Sequence, residues 1–261
     1  MSGQEETILR RDEGAVAVLT LNKPEMHNAI DTDMIRRLGE IVQAIGREPE
    51  SRVILIEGAG ERAFSAGGDL VEMLTYDALK GDLLMEAWQW GLEQVERSPK
   101  PVIAAIQGYA YGGGTELAMA CHIRVARADA KLGQTEIALD HIPGGGGTQR
   151  LPRLIPTGIA LEYLLTGDAI PAEEAWRLGL VNHVWPAERF REEALALAQR
   201  IAERSPTALR YTLDCVREGL RGPPENGQRL ERALASLVME SAEARVGIEA
   251  FLARRRRPNR T

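Results

Sequence analysis

Aromatic residues make up only 5% of this 261-residue chain, and it has just two cysteines. Cys121 and Cys215 lie far apart, and no CxxC occurs, so a disulfide framework is excluded and buried free thiols in a reducing compartment are expected. The four histidines, His27, His122, His141 and His183, show neither HxxxH nor HxH spacing, and no metal centre is expected. No apolar run approaches the ~20 residues needed to span a bilayer. The opening segment, MSGQEETILRRDEG, has acids early and no apolar core, so it does not read as a signal peptide and a cytoplasmic protein is expected. There is no basic excess: 32 Lys and Arg against 38 Asp and Glu leave a net charge of −6, which argues against nucleic acid as a partner. A P-loop is excluded because Gly-Lys-Ser and Gly-Lys-Thr are both missing, and a dinucleotide fingerprint fails in Gly144–Gly147 because Gln149 stands where the last glycine belongs.

What the chain does have is 44% hydrophobic and 27% charged residues, the proportions of a globular protein, together with 26 glycines, above the usual ~7%. Apolar runs at 15–21, 53–56 and 102–106 read as buried strands, with a fourth strand around Ile123–Ala126. Amphipathic stripes over 31–45 and 82–97, and a short segment over 114–120, read as helices between them. This alternation predicts an α/β fold with parallel pairing. From about residue 187 the strands stop, and helices are expected at 187–204, 206–220, 226–241 and 244–256.

The glycines concentrate in Gly58–Gly68, Gly108–Gly114 and Gly144–Gly147. In Gly112-Gly113-Gly114-Thr115-Glu116 they run straight into a helix start, where unpaired N–H groups and the helix dipole favour a negatively charged oxygen. Ala66-Gly67-Gly68-Asp69-Leu70 is a second place where backbone can approach a ligand closely. Tight turns and close packing would use the same glycines. Glu136 follows Glu116 by twenty positions, beside an apolar stretch. Burial raises a carboxyl pKa, and an acid and a base flanking one substrate suit proton transfer at neutral pH. Most glutamates are solvated, so this pairing alone does not assign an activity.

Longer motifs narrow the reading. KPVIAAIQGYAYGGGTELAMACHIRVA (100–126) and GQTEIALDHIPGGGGTQRLPRLI (133–155) resemble the enoyl-CoA hydratase/isomerase, or crotonase, superfamily. NKPEMHNAI (22–30), AFSAGGDL (63–70), LTGDAIPAEEAWRLGLVNHV (165–184) and AFLARRRRP (250–258) are similar in the same order. The resemblance implies a spiral of ββα turns over 1–195 with the active site, and a C-terminal all-helical region over 196–261 that builds homotrimers or dimers of trimers and completes the CoA site. It implies that the N–H groups of Gly68 and Gly113 form an oxyanion hole and that Glu116 and Glu136 are the two hydratase glutamates. CoA contacts carried over by position are Met26, His27, Ala29, Ala66, Gly67, Gly68, Asp69, Leu70, Gly113, Phe251 and Arg254.

The activity so implied is reversible addition of water to a 2-enoyl-CoA, giving a 3-hydroxyacyl-CoA in fatty-acid metabolism. Coenzyme A is then part of the substrate, and no separate cofactor, metal, nucleic acid or membrane is called for. Alternatives on the same scaffold are an enoyl-CoA isomerase and a thioester hydrolase or decarboxylase; a non-catalytic CoA-binding or RNA-associated scaffold is the alternative of another class. Gly144 stands where dienoyl-CoA isomerases carry an aspartate, and Asp140-His141 replaces a usual Gly-Leu pair. Trp88 and Trp90 lie in the segment where the family shapes its acyl pocket, while Tyr109 and Tyr111 are expected to pack near the helix start.

Overall fold

Strand alternation sorts the core into two faces. Val16, Val18, Val53, Leu55, Ile103, Ala105 and Val125 pack on one side, and Ala17, Leu19, Ile54, Ile56, Ala104, Ile106 and Ala126 on the other. Burial on both faces is why these strands read as continuous apolar runs. The computed structural model describes residues 6–255, with the side chains of Arg254 and Arg255 outside the description.

Along the chain, β1 (Ile8–Glu13) and β2 (Val16–Leu21) form a hairpin, followed by α1 (Thr32–Arg47) and β3 (Val53–Gly58). Next come β4 (Ala63–Ser65), α2 (Leu70–Met73), α3 (Ala78–Glu96), β5 (Val102–Ile106), β6 (Tyr109–Tyr111), α4 (Gly113–Ala120), β7 (Ile123–Arg127) and β8 (Lys131–Gly133). The rest is α5 (Gly147–Leu154), α6 (Thr157–Thr166), β9 (Ile170–Pro171), α7 (Ala172–Arg177), β10 (His183–Trp185), α8 (Ala187–Ala202), α9 (Pro206–Gly219), α10 (Pro224–Met239) and α11 (Ala242–Arg255).

A six-stranded sheet runs β1-β2-β3-β5-β7-β10, parallel except for the β1–β2 hairpin. A second, four-stranded sheet runs β4-β6-β8-β9, with β4, β6 and β8 parallel. The expected central strands and helices are present; α3 begins four residues before the expected 82 because Asp77 caps it, accepting a hydrogen bond from Lys80 N at 2.9 Å.

The first compact unit ends at Ala202 rather than 195. Helix α8 belongs wholly to it, since Phe190, Ala194, Leu197, Ala198 and Ala202 bury one face against the large sheet. The second unit, from Glu203, is built of α9, α10 and α11 joined by short turns among its described residues. Cys121 is buried, which pushes its thiol up to about 12, whereas Cys215 is only half-buried. Among the described residues no helix is long and apolar enough to cross a membrane.

Candidate active site

Three neighbouring parallel strands end at one edge of the small sheet, and each delivers part of a site. β4 leads into Gly67 and Gly68, β6 into Gly112 and Gly113, and β8 into Gln134 and Glu136. The carboxyl ends of parallel strands are where open α/β sheets bind ligands. A cavity of about 430 Å³ lies there. Met26, Ala29, Ala66, Gly67, Gly68, Asp69, Leu70, Gly113, Glu116 and Glu136 all line it, so ten residues expected from the sequence converge on one space.

The backbone geometry explains why two N–H groups face that space. Ile30 and Gly68 form a parallel bridge in which Ile30 N donates to Gly67 O at 2.8 Å and Asp69 N to Ile30 O at 3.0 Å. The N–H of Gly68 itself therefore points the other way. Gly113 is the first residue of α4, where no intrahelical acceptor exists. Neither N–H donates to a protein acceptor among the described residues. A Cβ built on Gly113 would sit 3.4 Å from Gly68 N, so the backbones of the two residues adjoin. Gly112 adopts φ 50°, a left-handed turn open to glycine, and so swings β6 into the helix. The Thr115 hydroxyl fixes α4 to the sheet, donating to Ala110 O at 2.6 Å and accepting from Gly133 N at 3.0 Å.

The two glutamates have different surroundings. Glu116 is 3% exposed, and its Oε1 accepts from Gly147 N, at the start of α5, at 2.7 Å. Burial raises its pKa, opposed by the Gly147 N–H and by nearby Arg150. Arg150 in turn donates to Gly145 O at 2.7 Å and pairs with Glu96 at 2.7 Å, bracing the loop. Burial, with the charge of Glu116 adding to it and only its own backbone N–H opposing, pushes the Glu136 carboxyl up to about 7. Its Oε2 is buried without a hydrogen-bond partner.

The Glu136 environment predicts a pH-dependent stability. A carboxyl raised from 4.5 to about 7 on folding stabilises the fold while protonated, and that contribution is lost as pH rises through this window. At 1.36 kcal/mol per pH unit the ceiling is about 3 kcal/mol. Solvent around a half-buried carboxyl reduces this to roughly 1–2 kcal/mol. Glu136→Gln is therefore expected to match wild type near pH 4.5 and exceed it by that amount at pH 8 in denaturant unfolding. Equal stabilities at both pH values would mean the carboxyl is not raised.

Other expected residues lie elsewhere. His27 does not line the cavity; it ends a 3-10 turn at φ 54°, its carbonyl accepts from Ala66 N at 2.9 Å, and its Nδ1 pairs with the Tyr109 hydroxyl. Tyr109 stacks on Tyr111 with ring centroids 4.9 Å apart, and Tyr111 joins the lining. Phe251 stands on α11 in the second unit, and the Arg254 side chain lies outside the described residues. Asp140 and His141 are exposed and absent from the lining, although Leu139 and Ile142 on either side belong to it. Asp140 occupies a left-handed position, φ 56°, which explains why glycine suits that place. Trp88 is both core and lining: it is 4% exposed, and a Cβ on Gly113 would lie 2.5 Å from its ring. Gly147, which holds Glu116, and Arg150, whose charge acts on it, are not among the site residues expected from the sequence; the glycine run at 144–147 is the signal near them.

The family model described as Enoyl-CoA hydratase/isomerase matches residues 11–259. Crotonyl-CoA hydratase of Syntrophomonas wolfei is 36% identical over 251 residues, covering 96% of each chain. A probable enoyl-CoA hydratase of Bacillus subtilis is 43% identical over 246 residues, covering 92% of this chain and 93% of its own. The crystal structure of an enoyl-CoA hydratase from Bacillus anthracis matches with a TM-score of 0.92 at 37% identity, covering 95% of this chain and 97% of that one.

Proposed function

We propose a reaction course that starts from one premise: the chain belongs to the enoyl-CoA hydratase/isomerase family and is an enoyl-CoA hydratase, a carbon–oxygen lyase acting on acyl-CoA thioesters. The observation that carries the course is that two carboxyl groups and two acceptor-free N–H groups face a single cavity. The thioester oxygen sits between Gly68 N and Gly113 N, and C3 lies beside the glutamates. Glu116, held by the Gly147 N–H, takes a proton from water as its oxygen bonds to C3. The C2=C3 electron pair moves into the thioester, and the oxygen bearing the new negative charge is held by the two N–H groups. One such donor is worth about 3–4 kcal/mol. Glu136, whose carboxyl is pushed up to about 7, is protonated in about half of the molecules at neutral pH, and that form delivers its proton to C2. Solvent exchange then restores the two carboxyls.

The reaction needs no cofactor, since coenzyme A arrives as part of the substrate. The loop residues Met26, Ala29, Ala66 and Asp69 support a role along the CoA arm, because they line the cavity beside Gly68. A homotrimer or a dimer of trimers is proposed on the apolar side chains that the second unit leaves uncovered, among them Leu220 at 84% and Met239 at 73% exposed; a monomer mass by light scattering would remove it. In that assembly Phe251 and Arg254 reach the CoA of a neighbouring subunit. A cytoplasmic place in fatty-acid metabolism accords with the acyl-CoA substrate, and fractionation with a membrane or secreted pool would contradict it.

The test is a panel of straight, branched and cyclic 2-enoyl-CoA thioesters, followed by loss of enoyl-thioester absorbance. Hydration of at least one is expected. Conversion of a 3-enoyl-CoA without hydration, or release of free CoA, would point to the isomerase or the hydrolase instead.

A further inference from the structure

One wall of the cavity is a side chain that the reaction course does not use. Met85 projects from α3 into the lining, and a Cβ on Gly144 would overlap its Sδ, so the thioether lies directly against the Gly144 backbone. Gly145 adjoins the Glu116 carboxylate: a Cβ there would be 2.5 Å from Oε2. On the opposite side, the Gly112 backbone closes on Glu136, with a Cβ position 3.1 Å from Oε1. An acyl chain anchored at Gly68 and Gly113 with C3 at the carboxyls therefore leaves on the Gly144–Gly145 side, where Met85 stands.

Gln89, one turn further along α3, donates to Gly144 O at 2.9 Å. This pins the glycine loop, so the passage widens only if Met85 itself moves. Methionine is unbranched with three rotatable bonds, so it blocks softly rather than absolutely. Leu139 and Ile142 also line the cavity while remaining 52% and 77% exposed, which gives it an apolar opening to the surface.

We propose that Met85 is the acyl-length gate of this enzyme, resting on the hydratase reading above: with its thioether across Gly144 it admits short enoyl groups in preference to long ones. Gly144, having no side chain, makes room for the sulfur.

The test uses wild type, Met85→Ala and Met85→Phe. kcat/KM is measured for crotonyl-CoA and 2-octenoyl-CoA, and Kd for the non-reacting butanoyl-CoA and octanoyl-CoA by quenching of tryptophan fluorescence. In Met85→Ala the long-to-short ratio is expected to rise at least about ten-fold in both measurements, the scale on which hydrophobic pockets discriminate single methylenes. In Met85→Phe it is expected to fall, and this variant carries the test alone where the alanine variant does not fold. Ratios unchanged from wild type overturn the gate. Binding ratios that shift without hydration of any enoyl-CoA would keep the gate and remove the hydratase reading, so the two fail separately.

Discussion

Glu116→Gln and Glu136→Gln are each expected to lower kcat for crotonyl-CoA hydration by roughly 10²–10⁴-fold, the range for loss of a positioned general acid or base. Glutamine preserves shape and one hydrogen-bond acceptor, so the amide oxygen introduced by Glu116→Gln can still meet Gly147 N; what disappears is the ability to exchange a proton. The two losses arise differently. Glu116 is the group with support for its charged form, namely the Gly147 N–H at 2.7 Å and the field of Arg150. At Glu136 only its own backbone N–H offsets burial, and its carboxyl, pushed up to about 7, is close to half-protonated at neutral pH. Burial raises both carboxyls, so the assignment of base and acid rests on the Gly147 N–H that meets Glu116, for which Glu136 Oε2 has no counterpart. Because both act on one transition state, the double variant is expected to lose much less than the product of the single losses. Turnover within ten-fold of wild type in both single variants, on every substrate hydrated, would sink the two-carboxylate course. The same substitution at Glu136 is expected to raise stability at pH 8, which separates lost activity from a weakened fold.

Much of this arrangement is legible in the sequence where local pattern and structure coincide. The strands over 16–21, 53–58 and 102–106 are buried on both faces and announce themselves as apolar runs, whereas the strand over 123–127 carries Arg124 and Arg127. The start of α4 is visible because the glycines that bend the chain also expose its N–H groups. Strand β1 escapes such a reading, since four of its six residues, Arg10, Arg11, Asp12 and Glu13, are charged on a sheet edge that only β2 pairs. The small sheet escapes it for another reason. Its strands are two or three residues long, too short for periodicity, and only their parallel register reveals that Gly68, Gly113 and Glu136 share an edge. The spiral comes from the family resemblance, because nothing local encodes which strand pairs with which. The hold of Gly147 on Glu116 spans 31 positions and is likewise invisible until the fold brings α5 against α4. Met85 reads as one more apolar residue of α3; its role depends on the loop that packs opposite.

Gly67→Ala is expected to damage the enzyme more than Gly68→Ala, although Gly68 supplies the N–H. Gly67 has φ +100°, where a side chain is strained whatever the space. A Cβ on it would lie 2.6 Å from Tyr111 O and 3.2 Å from Gly113 N, both backbone atoms that cannot rotate aside. The substitution therefore wedges the loop after β4 away from the loop after β6, and these two loops carry the two donors. At Gly68 a Cβ would meet only Met73 Sδ at 3.6 Å and Trp88 Cζ2 at 3.8 Å, ordinary contacts. Backbone strain of this kind costs about 1–3 kcal/mol of stability. Misplacing one oxyanion donor costs about 10²–10³-fold in kcat. Gly179→Ala separates the two effects: Gly179 has φ +81° with nothing within 4 Å of the Cβ position, so it carries similar strain without the wedge. It is expected to lose stability in a thermal melt while keeping near-wild-type kcat, whereas Gly67→Ala loses both. If a folded Gly67→Ala enzyme hydrated crotonyl-CoA at the wild-type rate, the spacing of the Gly68 and Gly113 N–H groups would not matter to the reaction. The thioester oxygen would then have to be stabilised elsewhere.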